Sequence, residues 1–145
     1  MPDRTTPVYT IGIAAGLLDV HPRTLRLYEQ SGLLKPARRN NRRLYSDHDL
    51  LWVRAIRYLI HDQGLNQEGL RRLLALIPCW EIKQGSPEGC TSCPVRHDRS
   101  APCWHSSHVN GSNGRRCHEC AVYVSAPEHV CSPEELAELF RPFRP

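Results

Sequence analysis

Apolar residues recur at helical spacing through the first half of the chain, and the rhythm is lost after Ile77. Ile11, Ala14, Ala15 and Leu18 share one helical face, with Thr10 in position to cap that helix. Asp19-Val20 breaks the run. Pro22 then suits the first turn of a second helix, where its missing N–H would be unpaired anyway. Leu25 and Tyr28 give this helix an apolar face, and Arg23, Thr24 and Arg26 lie opposite. Ser31-Gly32 ends it, Gly32 being suited to a left-handed cap. Turn residues at Asn40-Asn41 stand between arginine pairs, Arg38-Arg39 and Arg42-Arg43, which predicts a short hairpin anchored by Leu44 and Tyr45. Ser46 and Asp49 open a third helix, whose core stripe is Leu50, Leu51, Val53, Ile56, Leu59 and Ile60; Gly64 ends it. Asn66 caps a fourth helix carrying Leu70, Leu73, Leu74 and Ile77, stopped by Pro78.

Two short helices joined by a tight turn, the second bearing arginines near its N-terminus, form a helix-turn-helix, which puts its second helix into the DNA major groove. The arginine-rich hairpin suits a wing laid along a phosphate backbone. Charge supports the pairing. Residues 1–78 carry 12 Lys and Arg against 7 Asp and Glu, whereas residues 79–145 carry 7 against 8, so the net charge of +4 sits in the first half.

The stretches T-I-x-x-A-A from Thr10, T-L-R-x-Y-E-x-x-G-L-L-x-P from Thr24, R-x-Y-S from Arg43 and D-x-D-L from Asp47 follow in order. Together, over residues 9–76, they resemble the DNA-binding domain of the MerR family of bacterial regulators, nearest its heat-shock-repressor branch. The resemblance implies a winged helix-turn-helix that binds double-stranded DNA at an inverted repeat as a homodimer, with RNA polymerase a possible partner at the promoter. By motif position it implies DNA-contacting roles for Thr24, Arg26 and Tyr28 on the recognition helix and for Arg42, Arg43 and Tyr45 on the wing. Arg23, beside the motif, and the wing arginines Arg38 and Arg39 join that set. Tyr28 has a second reading as a core residue, which is preferred.

Departures from the family begin after Ile77. Pro78, Gly85, Pro87, Gly89 and Pro94 exclude the long helix through which such proteins usually dimerise. A symmetric site still requires a dimer, so its contact falls either to the cysteine region or to residues 132–140. The latter have a capping pattern at Ser132 and a stripe of Leu136, Leu139 and Phe140, and can pack on their own chain or on a partner.

All seven cysteines lie between Cys79 and Cys131. The stretch is rich in Gly, Pro and Ser and needs an organising centre to hold a shape. A CxxC unit presents two sulfurs from one turn to one ion, and two such units are a strong signal for metal but a weak one for which metal. The favoured ligands are Cys79, Cys90, Cys93 and Cys103, because two Pro-Cys-Trp arms bracket one CxxC. The competing set pairs Cys90 and Cys93 with Cys117 and Cys120. A possible second site uses Cys117, Cys120 and Cys131, completed by His105, His108, His118 or His129. An iron–sulfur cluster is the expected cofactor, with zinc as the alternative and a metal-free thiol–disulfide switch as the third reading. Trp80 and Trp104 either shield the centre or form the local core.

The fold expected is therefore mainly α, in four parts. Residues 1–8 form a tail, 9–78 a winged helix-turn-helix domain, 79–131 a small irregular metal-organised region, and 132–145 a short helix and tail. No stretch approaches the roughly 20 apolar residues of a membrane span, and no signal-peptide pattern opens the chain, so a cytoplasmic protein is expected. Enzymatic activity is not expected. The Cys-His-Glu-Cys stretch at 117–120 lacks the upstream His-x-Glu of a zinc deaminase.

Overall fold

The computed structural model describes residues 5–77, 102 and 121–139. The described residues are mainly helical, with one small sheet. Strand β1 (Tyr9–Thr10) leads directly into α1 (Ile11–Leu18), and α2 (Pro22–Gln30) follows after a tight turn. Asp19 makes that turn in the left-handed region at φ 55°, and its N–H satisfies carbonyls of the last turn of α1. His21 caps α2, its Nδ1 accepting from Arg23 N–H at 3.0 Å, and Pro22 occupies the first turn. Gly32 ends the unit at φ 84°.

The hairpin of β2 (Ala37–Arg39) and β3 (Arg42–Tyr45) turns through Asn40 and Asn41, at φ 53° and 63°. Two successive positive φ values make a type I′ turn, whose twist matches that of the strands, and asparagine tolerates that region. Both strands are antiparallel neighbours in a sheet of order β1-β3-β2, with Ala37 opposite Leu44 and Tyr9 opposite Tyr45.

Helix α3 (Asp47–Arg57) opens with a full capping box. Ser46 Oγ accepts from Asp49 N–H, and the Asp49 carboxylate accepts from Ser46 N–H. The helix runs on into a π-helical turn (Tyr58–Asp62), which closes with Gln63 N–H donating to Tyr58 O and Leu65 N–H to Leu59 O. Asn66 caps α4 (Gln67–Leu74) through Gly69 N–H. Trp52 sits fully buried at the centre, among Leu25, Leu33, Leu34, Tyr45, Leu50 and Ile56, and its indole N–H donates to Leu33 O at 2.7 Å. Satisfying that N–H lets the large ring be buried at no polar cost.

Three short helices from the end of the chain complete this core: α5 (Ala121–Val124), α6 (Ala126–Val130) and α7 (Pro133–Leu139). Helix α6 packs on α4, and α7 packs on α3. Ser132 and Glu135 form a second reciprocal cap at the start of α7. Tyr58 O–H then donates to Glu135 at 2.8 Å, and an Arg54 guanidinium N–H donates to Leu139 O at 3.1 Å. The described part of the terminal segment, 132–139, packs on its own chain, and Phe140 lies outside the described residues. No helix among the described residues is long and apolar enough to cross a membrane.

Candidate nucleic-acid interface

Helix α2 is amphipathic by the placement of a few residues. Leu25 and Tyr28 face the core, so Arg23 and Arg26 are forced outward, with half-buried Thr24 between them. Leu27, 43% exposed, shares that outward surface and gives it an apolar element suited to a thymine methyl or a sugar. The wing adds four guanidinium groups through its register.

Arg38 stands directly opposite Arg43, and Arg39 opposite Arg42. Like charges facing one another across a strand pair are destabilising, so each rung needs an anion. The inner rung has one. Glu29, projecting from α2, accepts from Arg38 at 2.9 Å and from Arg43 Nε at 2.9 and 3.1 Å through its two oxygens. That carboxylate also joins the wing to the recognition helix. The outer rung, Arg39 and Arg42 beside the Asn40-Asn41 tip, has no ion-pair partner among the described residues, and the same holds for Arg23 and Arg26 on α2. Four exposed guanidinium groups on adjoining elements thus lack a counter-ion among the described residues, and a phosphate backbone supplies such anions at regular intervals.

Tyr45, expected at this surface, requires correction as a direct contact, while Tyr28 takes the core position preferred for it from the sequence. Tyr28 is 3% exposed and Tyr45 fully buried, because the periodicity of α2 and the pleat of β3 turn both rings toward Trp52 and Leu25. Burial raises the pKa of both phenols, opposed at Tyr28 by Arg57. The Tyr45 hydroxyl finds no hydrogen-bond partner among the described residues. Their contribution is to set the backbone from which the arginines project.

Two features of this region are not legible in local sequence. The double clamp at Glu29 depends on the wing folding back over α2, although the facing Arg38–Arg43 pair is itself a signal that an anion must be near. Tyr123, from the far end of the chain, lies within the same core. Its ring meets His48 edge-on at 5.7 Å, and its hydroxyl donates to Asp49 at 2.7 Å. Asp49 is fully buried, and desolvation pushes its carboxyl up to about 6 even though bonds from Ser46 and Tyr123 favour the anion.

The favoured metal ligands Cys79, Cys90, Cys93 and Cys103, and the further candidates Cys117 and Cys120, lie outside the described residues. So do Trp80, Trp104, His105, His108 and His118. His129 is exposed on α6, with Nε2 3.5 Å from Ser125 Oγ. Cys131 is a free thiol, 7% exposed, in the core cluster between α6 and α7. Burial, together with the nearby Glu135 carboxylate, pushes it up to about 11, which keeps the proton on sulfur. Among the described residues no group of three or more His, Cys, Asp or Glu side chains converges on a common point.

Comparison with known proteins follows the same division of the chain. Residues 9–77 match the family described as MerR HTH family regulatory protein. The putative heat shock protein HspR of Streptomyces coelicolor is 43% identical over 72 residues, which cover 49% of this chain and 48% of that protein. The HTH-type transcriptional regulator GlnR of Bacillus anthracis is 38% identical over 74 residues, covering 50% of this chain and 57% of GlnR. The HTH-type transcriptional regulator MlrA of Escherichia coli K12 is 40% identical over 70 residues, 47% of this chain and 28% of MlrA. The chain thus spans about half the length of HspR and GlnR.

Proposed function

Residues 9–77 belong to the MerR HTH family of regulatory proteins, and from that premise we propose that this chain regulates transcription by binding double-stranded DNA through α2 and the β2–β3 wing. The observation that carries the reading is the set of exposed arginines without counter-ions among the described residues, Arg23 and Arg26 on the helix and Arg39 and Arg42 on the wing tip. Arg23, Thr24 and Arg26 enter the major groove, where arginine bonds guanine edges bidentately. Arg39 and Arg42 grip the flanking backbone. Arg38 and Arg43, already paired with Glu29, orient the wing and reach phosphate in part. The chain is a regulator and not an enzyme.

The DNA-bound form is a homodimer on an inverted repeat. The dimer contact falls to the cysteine region or to the outer face of α7, whose inner face is engaged with α3 of its own chain. Cys79, Cys90, Cys93 and Cys103 hold an iron–sulfur cluster, with zinc as the alternative occupant. Cys131, buried in the core cluster, is kept with Cys117 and Cys120 as a possible second site. A cluster would supply sensitivity to oxidants or to diatomic gases, and zinc a structural or zinc-responsive staple. Either would act by changing how the two readers are held relative to each other, and so which DNA geometry they prefer.

The test starts from an operator duplex selected by the wild-type chain from a random-sequence pool. Replacing Arg39 and Arg42 with alanine should weaken binding across all sequences and make its salt dependence shallower by roughly two phosphates per protomer, about four for the bound dimer. Replacing Arg26 should relax base preference at one position of each half-site. Retention of full affinity in both variants overturns the interface. Anaerobic purification with visible absorption and metal analysis separates cluster from zinc, and serine at both Cys90 and Cys93 should abolish any response of DNA binding to oxidant or chelator.

A further inference from the structure

The wing is a hairpin on two feet. Lys35 lies just before β2, and Ser46 follows β3 directly. A buried chain of hydrogen bonds runs between these feet. Lys35 N–H donates to the Tyr123 hydroxyl at 3.1 Å. That hydroxyl donates to one oxygen of Asp49 at 2.7 Å, and the other Asp49 oxygen accepts from Ser46 N–H at 2.9 Å. Tyr123, Asp49 and Ser46 are all fully buried. The backbone amide of Lys35 has its acceptor in Tyr123, so the first foot is held by a residue from outside the family-matched stretch.

We propose that Tyr123 is a positioning residue for DNA binding: by closing the root of the β2–β3 hairpin it sets the angle at which the wing arginines meet the phosphate backbone. The proposal rests on the reading that the wing contacts DNA. A two-stranded hairpin is marginally stable by itself and takes its orientation from what its base is fixed to. Here the tip carries Arg39 and Arg42, three residues or more from either foot, so a small rotation at the root becomes a larger displacement of the guanidinium groups. Glu29 fixes the hairpin midway, through Arg38 and Arg43, and Tyr123 fixes its base. The ring of Tyr123 is independently seated among Tyr45, Ala126 and His48, so removing its hydroxyl leaves the packing in place.

The decisive variant is Tyr123→Phe in the full chain. Hydrogen exchange at the Lys35 amide and the wing amides should accelerate by about tenfold, the loss expected for a hydrogen bond linked to a charged group, while α1 and α2 stay protected. Affinity for the selected operator should fall by about tenfold, and the slope of log affinity against log salt should become shallower by about one to two phosphates per protomer. A merely structural role would accelerate exchange throughout the reader and lower affinity at constant slope, which overturns the proposal. Unchanged wing exchange and unchanged affinity overturn it as well. If the wild-type chain selects no duplex at all, the DNA-binding reading itself has failed, a result separable from a wild-type chain that binds and a variant that binds identically. The variant Asp49→Asn, which keeps a polar partner for Tyr123, serves as a second perturbation of the same chain of bonds and should move the Lys35 amide less than Tyr123→Phe does.

Discussion

Replacing Asp49 with asparagine turns the buried carboxyl into a measurable pH dependence. The group has no exposure, and its pKa moves from 3.8 to about 6, chiefly through desolvation and against the hydrogen bonds from Ser46 and Tyr123. An acid with a higher pKa in the folded state holds its proton more tightly there than in the unfolded chain. Its contribution to stability is therefore fully present below pH 3.8 and is lost as pH rises through about 6. A shift of about two units corresponds to about 3 kcal/mol, at about 1.4 kcal/mol per unit. The side-chain amide of the Asp49→Asn variant cannot ionise, so the stability difference between wild type and variant should change in the variant's favour by about 2–3 kcal/mol between pH 4 and pH 7. The amide nitrogen must donate where a carboxylate oxygen accepted, and the Tyr123 oxygen can accept that bond only by giving up its own donation. The absolute gain at neutral pH is therefore smaller than the change across the window. Urea unfolding followed by circular dichroism at half-unit pH intervals measures the difference, which also cancels the other carboxylates. Parallel curves for the two proteins from pH 4 to 7 would refute the argument that Asp49 is buried at a desolvation cost.

Other consequences are open to simpler measurements. Glu29→Gln leaves the facing pair Arg38–Arg43 without its anion, so the wing should loosen by about 1–2 kcal/mol, and wing amide exchange should quicken accordingly. In the same variant non-specific DNA affinity should rise while the ratio of specific to non-specific binding falls; an unchanged ratio counts against the clamp. Tyr45→Phe removes a buried hydroxyl with no partner among the described residues and should stabilise the reader by up to about 1–2 kcal/mol without weakening DNA binding. A loss of operator affinity in that variant would restore Tyr45 as a contact. Trp52→Phe should cost about 2–4 kcal/mol, because it leaves a cavity at the centre of the core and strands the Leu33 carbonyl; a fall in urea midpoint equivalent to less than about 1 kcal/mol would contradict this reading of the core.

Local chemistry in the sequence was enough for the four α-helices and the hairpin of residues 9–77, but not for strand β1 or the π-helical turn at Tyr58–Asp62. Pro22, Ser46 and Asn66 mark helix starts because a capping side chain or a proline acts within one turn of itself, whereas Thr10 stands at the start of α1 without a capping hydrogen bond from its side chain. Gly32 and Gly64 mark ends, and Asn40-Asn41 the turn, because positive φ is a property of single residues. Ser132 and Glu135 announced α7 in the same way. Which face each tyrosine takes was less legible. Motif position put Tyr45 at the DNA, whereas core packing draws it inside; Tyr28, which stands on the apolar face of α2 with Leu25, takes the core position preferred for it. Only the tertiary structure could join Glu29 to two arginines of the wing, seat α7 on α3, or bring Tyr123 to Lys35 and Asp49. Those contacts link residues up to 88 positions apart, and no periodicity or cap encodes them. They arise when the amphipathic faces of α3 and α4 are covered, and a hydroxyl carried in with that covering layer meets the two buried polar groups at the wing root that needed a partner.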